Sequence, residues 1–279
     1  MSETDQPKAI KKNFKCAIGD TYKIYFIGDL HIGKAFVNYK MISRVVDAIS
    51  SDPKSYWIGM GDYLDCILLA DKRINISDYD PKIYDCLRKL DQIIDWQCWQ
   101  FEKFFAPIRD RCLGLLCGNH EDKLRKKINR DIIQEIASKW QVAYPGYGGW
   151  WRLTWEYDNA VLGITIYANH GYSAPRTGGG SLSSVMRDTA VIDADIIVYA
   201  HCHNIAMRPQ QIIYLDKRGN VRTKLRHYVI TGTYREEATI GRSYETERSY
   251  FSAPNGIVWV EITPFLTKRE HLQIKVSYS

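Results

Sequence analysis

No apolar stretch of the 279-residue chain approaches the roughly 18 residues that a membrane-spanning helix needs, so no membrane association is expected. The opening residues, MSETDQPKAIKKNFK, lack the apolar centre of a secretory signal. The seven cysteines are odd in number and form no CxxC pair, which excludes a disulfide framework and fits a reducing cytoplasm. Neither sign of charge dominates. The 38 Lys and Arg exceed the 32 Asp and Glu by six, a balance that permits an anionic partner without requiring one. There is no internal repeat, coiled coil or low-complexity tract. Apolar residues make up 45% of the chain and occur throughout, which excludes disorder over most of it. Residues 1–14 read as a polar N-terminal arm and residues 15–279 as a single domain.

Histidine is also scarce, and its placement is uneven. Of seven, His31, His120, His170, His201 and His203 each follow a short apolar run of strand length; His227 and His271 do not and read as structural. The runs are Lys23–Ile27, Tyr56–Met60, Leu113–Cys117, Val161–Ala168 and Ile196–Ala200. Helical spacing predicts helices over Val37–Ile49, Pro81–Phe105 (with Asp80 as N-cap) and Asp122–Trp140. Hairpins are predicted for Trp150–Glu156 with Val161–Ala168, and for Gln211–Leu215 with Val221–Val229. Gly256–Ile262 and Leu272–Ser277 read as late strands, and the Gly- and Ser-rich stretch Gly171–Ser184 as a loop. Strands alternating with helices, then a strand-rich half, predict α/β layers on two sheets.

In open α/β folds, ligands collect at the carboxyl ends of strands. Here five such ends deliver Asp29, His31, Asp62, Asn119, His120, His170, His201 and His203. Carboxylate, imidazole and amide groups without thiolate are the donors of a hard or borderline divalent ion, not of a structural zinc. Eight groups exceed the needs of one ion and suit two, with Asp62 as a shared carboxylate. Two ions roughly 3.5–4 Å apart would activate a bridging water for in-line displacement at phosphorus. Cys202, between two of these histidines, and Cys117 read as small inward-facing residues.

The order of these residues resembles the calcineurin-like metallophosphoesterase superfamily. The motifs are Asp29-Leu-His31, Gly61-Asp62-Tyr-Leu-Asp65, Gly118-Asn119-His120-Glu121, His170 and Ala200-His201-Cys-His203, over roughly residues 22–205. The resemblance implies a four-layer sandwich of two stacked mixed β-sheets flanked by helices. It implies that Asp29, His31, Asp62 and His203 hold one metal, and Asp62, Asn119, His170 and His201 the other. It gives His120 a catalytic place facing the phosphoryl group, and Asp65 the place of an acid that orients that histidine. Manganese is the expected metal; iron, zinc, nickel or cobalt suit the same donors.

The motifs do not choose the phosphoester. Cys66 and Cys117 stand where the protein-phosphatase branch has arginines, and Asp65 stands where the DNA-repair exonuclease branch has histidine. Basic residues favour a nucleic-acid substrate, single- or double-stranded. Arg208, Lys217, Arg218, Arg222 and Lys224 follow the last motif, Arg176 follows His170, and Lys123, Arg125, Lys126, Lys127 and Arg130 follow Glu121. Aromatics are dense nearby, among them Tyr147, Trp150, Trp151 and Trp155. A phosphodiesterase acting on nucleic acid is therefore expected. A small-molecule or cyclic-nucleotide phosphodiesterase or phosphomonoesterase, and a non-catalytic scaffold of the same fold, remain the alternatives. No obligate protein partner is read from the sequence.

Overall fold

The computed structural model describes residues 8–66, 80–81, 91–172, 177–236, 256–267 and 271–279. In chain order its elements are β1 (Ile10–Lys15), β2 (Tyr22–Ile27), α1 (Tyr39–Ser51), β3 (Ser55–Gly59), α2 (Asp91–Phe105), β4 (Cys112–Leu115), α3 (Asn119–Ile128) and α4 (Ile132–Trp140). There follow β5 (Gly148–Tyr157), β6 (Ala160–Asn169), α5 (Gly178–Asp188), β7 (Ile196–Tyr199), β8 (Ala206–Leu215), β9 (Val221–Ile230), β10 (Val258–Phe265) and β11 (His271–Tyr278).

The strands form two mixed sheets, ordered β1-β5-β6-β7-β9-β8 and β11-β10-β2-β3-β4. Successive strand residues point to opposite faces, so a strand buried on both sides feeds two cores. In β2, Ile24 and Phe26 enter the core between the sheets, while Tyr25 and Ile27 enter the one beneath the helices. In β7, Ile196 and Val198 face the other sheet, and Ile197 and Tyr199 face α5. Trp151 and Trp155 fill the space between the sheets. Helix α1 turns Met41, Ile42, Val45, Val46 and Ile49 onto the five-stranded sheet. Helix, sheet, sheet, helix is the four-layer arrangement expected.

Four local expectations need correction or completion. The polar arm ends earlier than residue 14, because Ile10–Lys15 pairs in parallel with β5 as an edge strand. Only one of its faces is covered, with Phe14 stacked on Trp155 at 5.5 Å, so the sequence shows no apolar run there. The helix expected over Asp122–Trp140 is two helices. Asn129 adopts a left-handed conformation (φ 54°) that ends α3, and the Asp131 side chain accepts from Gln134 N–H to start α4. The loop expected over Gly171–Ser184 contains the start of α5. Its first turn is three glycines, and the helix is held by Thr177 capping Gly180 and by Leu182, Val185 and Met186 packed on the sheet. Of the helix expected from Pro81, the part Asp91–Phe105 is described, whereas residues 82–90 and Arg176 lie outside the described residues.

Candidate metal centre

The parallel strands β2, β3 and β4 end side by side, and β6 and β7 end opposite them, so all five motifs emerge at one end of the sandwich. The turns are tight. Asp29, His31, Asp62, His201 and His203 all have positive φ, between 49° and 67°. Asp and His tolerate that region better than most residues, yet each such position costs about 1–3 kcal/mol and persists only where the surroundings enforce it. Here they do. Asp29 N–H donates to Gly61 O at 3.0 Å and His31 N–H to Asp62 O at 3.1 Å. The Asp29 carbonyl accepts from Tyr234 N–H at 3.2 Å and from the Thr233 hydroxyl at 2.9 Å. Two glycines permit the closest approach. A Cβ on Gly61 would lie 2.7 Å from Gly118 N and 2.8 Å from His170 Nδ1; one on Gly118 would lie 2.1 Å from both Asp62 N and Asp62 Oδ1.

The side chains converge in overlapping groups. Donor atoms of Asp29, His31 and His203 lie within 4.8 Å of one another, as do those of Asp62, His170 and His201. His203 Nε2 is 3.4 Å from Asp29 Oδ1 and 3.1 Å from His31 Nε2. His170 Nε2 is 3.5 Å from Asp62 Oδ2 and 3.0 Å from Asn119 Oδ1. All seven residues expected to bind metal therefore surround one centre. His31, Asp62 and His120 form a third such group, which places Asp62 between the other two.

The donors fit divalent ions. Asp29 Oδ1 and His201 Nδ1 are buried with no hydrogen-bond partner, which is costly for polar atoms unless another group meets them. Burial, then the neighbouring His120, push the His31 imidazole well below its usual pKa, and burial lowers that of His201. Both imidazoles are therefore neutral at neutral pH, the form in which a histidine can bind a metal. Burial opposes ionisation of Asp62, but His120 and His170 facing it hold its carboxyl well below the usual range. His170 donates from Nδ1 to the Met60 carbonyl at 2.8 Å, which leaves Nε2 to the centre.

His120 is held differently from the expectation. Its Nδ1 lies 2.6 Å from the Asp65 backbone carbonyl, an acceptor only, so Nδ1 carries the hydrogen. The Asp65 carboxylate is farther, at 3.6 Å, and its oxygens make no hydrogen bond. Lys34, which the sequence reading passed over, stands 3.8 Å from that carboxylate, while burial raises the Asp65 pKa. His120 Nε2 faces Asp62 Oδ2 at 3.9 Å.

Glu121 also received no role from the sequence. Its carboxylate accepts from three backbone amides: Asp62 at 3.1 Å, Leu64 at 3.0 Å and Gly118 at 3.0 Å. It ties the loop after β3 to the one after β4. Its place as the third residue of α3, reaching back to the N-cap amide, is a signal that capping rules could have read.

The basic residues fare less well. Arg208 lies two residues into β8, at the base of the hairpin. Counted from Arg208 at about 3.3 Å per residue, Lys224 lies roughly 13 Å farther along the hairpin, Arg222 roughly 20 Å and the turn with Lys217 and Arg218 roughly 30 Å. Lys224 pairs with Asp193 at 2.8 Å, Arg222 with Asp216 at 3.2 Å, and Arg226 with the Ala194 carbonyl at 3.0 Å. On α3, Arg125 and Lys126 pair with Asp122, and the neighbouring Arg130 pairs with Glu135. Among the aromatics, Trp151 and Trp155 are buried core residues, whereas Tyr147, Trp150 and Tyr172 are exposed. The Tyr147 ring lies 6.3 Å from that of His170. No described helix is long and apolar enough to cross a membrane.

No curated protein matches the sequence. The solved structures that resemble it do so distantly. A predicted phosphoesterase of Streptococcus pneumoniae TIGR4 is 12% identical with a TM-score of 0.35, over 93% of this chain and 99% of that one. Vps29 of Entamoeba histolytica, solved with Zn²⁺, is 10% identical with a TM-score of 0.32, over 92% and 98%. Vacuolar Protein Sorting 29 of Cryptosporidium parvum is 15% identical with a TM-score of 0.33, over 93% and 98%. Likeness this remote bears on neither activity nor partners. The family model for calcineurin-like phosphoesterases matches residues 22–205, the stretch that carries all five motifs, and the chain belongs to that family.

Proposed function

We propose that this chain is a cytoplasmic phosphodiesterase that hydrolyses nucleic acid with two divalent metal ions, manganese supporting its activity in vitro. The observation that carries the reading is the pair of donor groups meeting at Asp62, with Asp29 Oδ1 buried and unpartnered among them. Asp29, His31, Asp62 and His203 would hold one ion, and Asp62, Asn119, His170 and His201 the other. When bound, such ions supply Lewis-acid activation of the phosphoryl group and of water.

The chain's own residues do the rest. Asp62 places one carboxylate against both histidine groups. His120, fixed through Nδ1 to the Asp65 carbonyl, turns Nε2 to the substrate and as imidazolium protonates the leaving oxygen. Exposed Tyr147, its ring 6.3 Å from that of His170, and exposed Tyr172, which follows His170 and Gly171 in the chain, offer faces on which a base can stack. Arg208 at the hairpin base, with Lys217 and Arg218 at its far turn, would touch the backbone of a polymer long enough to run past both.

The test is a substrate panel on the purified protein with manganese: single- and double-stranded DNA and RNA, a cyclic nucleotide, a chromogenic diester and a chromogenic monoester. Polymer cleavage that weakens steeply with salt, from a protein holding two metal equivalents, is expected. Good monoester turnover without polymer binding at low salt would replace the reading with a small-molecule phosphatase. Absence of both metal and turnover would leave a scaffold.

A further inference from the structure

The β8–β9 hairpin extends well past its sheet. Strand β7 pairs with β9 only from His227 to Ile230, so, among the described residues, 221–226 have β8 as their sole strand partner, and β8 is the sheet's outermost strand. A two-stranded ribbon is marginal in water unless something covers it.

One face is covered from within the chain. Gln210, Ile212, Lys224 and Arg226 are at least partly buried, and the two cations bind Asp193, Asp195 and the Ala194 carbonyl. The other face is bare. Opposed residues in an antiparallel pair share a face, and the pairs here are Gln211 with Leu225, Ile213 with Thr223, and Leu215 with Val221. All six are exposed: Ile213 by 71%, Leu215 by 68%, Val221 by 69% and Leu225 by 55%. This is also the side of β9 on which Val229 enters the core between the sheets, so the bare face continues an apolar layer beyond its cover.

We propose that this ribbon face packs against the same face of a second copy of the chain. Three features select that occupant. The four apolar side chains form a patch on the order of 400 Å², in the range where monomers carry functional surfaces. With Gln211, Thr223 and the strand edges, the face approaches the roughly 800 Å² per partner of a stable complex. None of its six residues is charged, so the seam itself brings no like charges face to face, although each copy carries a net charge of +6. On β9 the cations Arg222, Lys224 and Arg226 lie on the opposite face and are tied to acids and a carbonyl of the chain itself, while Lys217 and Arg218 stand in the turn beyond the six residues. A two-fold stacking of the ribbons gives each the second layer it lacks, at the usual spacing of about 10 Å.

Light scattering coupled to size exclusion, run over a range of micromolar concentrations, tests this. The wild-type chain should elute at twice its monomer mass. Ile213→Lys combined with Val221→Lys should give the monomer mass at the same concentrations. Turnover of a chromogenic diester should stay unchanged, which shows that the variant is folded. Val191→Lys, at a residue 94% exposed elsewhere, should leave the mass doubled. A wild-type monomer at every concentration overturns the proposal, and so does a double variant that keeps the doubled mass. A monomer that floats with anionic lipid vesicles would assign the face to a membrane and likewise overturn it.

Discussion

Replacing Glu121 by Gln changes one atom of a side chain that touches no substrate, yet it should be felt throughout the metal centre. Glu121 is 1% exposed. Its Oε2 accepts from Asp62 N–H and Gly118 N–H, and its Oε1 from Leu64 N–H. A glutamine can turn its oxygen to the first pair, but its amide nitrogen then meets Leu64 N–H, donor against donor. One hydrogen bond is lost and a buried amide is left unmatched, a loss of about 1–3 kcal/mol. Removing the carboxylate with Glu121→Ala strands all three amides and opens a cavity. That loss is partly offset because burial, and then the charge of Asp62, already disfavour the ionised acid. A net loss of about 3–5 kcal/mol is expected for Ala. At about 2–4 °C of melting temperature per kcal/mol for a domain approaching this size, Gln should melt roughly 2–12 °C below wild type and Ala lower still. Because Asp62 N–H is one of the freed groups, metal affinity should fall with stability. Calorimetry and elemental analysis after dialysis read the two effects. If Glu121→Gln melts within a degree of wild type and keeps its full metal content, Glu121 is not the clamp between the two loops.

Two further outcomes follow from the same geometry. His120→Ala should keep its metal and lose about 10²–10⁴ in kcat, whereas Asp65→Asn should lose less than about tenfold, because the carbonyl that accepts from His120 Nδ1 survives the change; steady-state kinetics beside metal analysis would show whether the carboxylate, contrary to this, carries the effect. Gly118→Ala should fail to assemble the centre even if it folds, since the new methyl would overlap Asp62 N and Oδ1 at 2.1 Å; an alanine variant that binds metal normally would contradict the observed approach of the two loops.

Much of the candidate site was legible in the sequence, for a simple reason. A short strand with apolar residues on both faces ends where polar residues begin, and a metal centre needs its donors at such ends. Asp29, His31, Asp62, Asn119, His170, His201 and His203 could be collected from that pattern together with His120; setting His120 apart from the ligands rested on the resemblance to the family. So could the layered α/β architecture, because a doubly buried strand and an amphipathic helix each announce themselves by period. Elements whose cover comes from far away were less legible. Edge strand β1 shows only Ile10 and Phe14 as apolar, and α5 opens on glycines; tertiary packing makes the first a strand and the second a helix. The break at Asn129 was written in local capping chemistry, but an unbroken apolar stripe across Asp122–Trp140 outweighed it.

Tertiary structure alone decided how the site is held and which charges it can use. That Glu121 spans two loops, that Asp65 orients His120 through its carbonyl, and that five donors sit in left-handed turns are facts about residues brought together from different strands. Charge clusters misled most. A run of Lys and Arg in sequence says nothing about distance, and along an extended hairpin each residue adds about 3.3 Å. Lys217, Arg218, Arg222 and Lys224 are close to the last motif in number and far from it in space, and the acids that bind Lys224 come from before β7. Position at a strand's end is encoded locally, because the strand itself is; proximity between charges is encoded only by the fold, because it depends on which chain segments the sheets bring together.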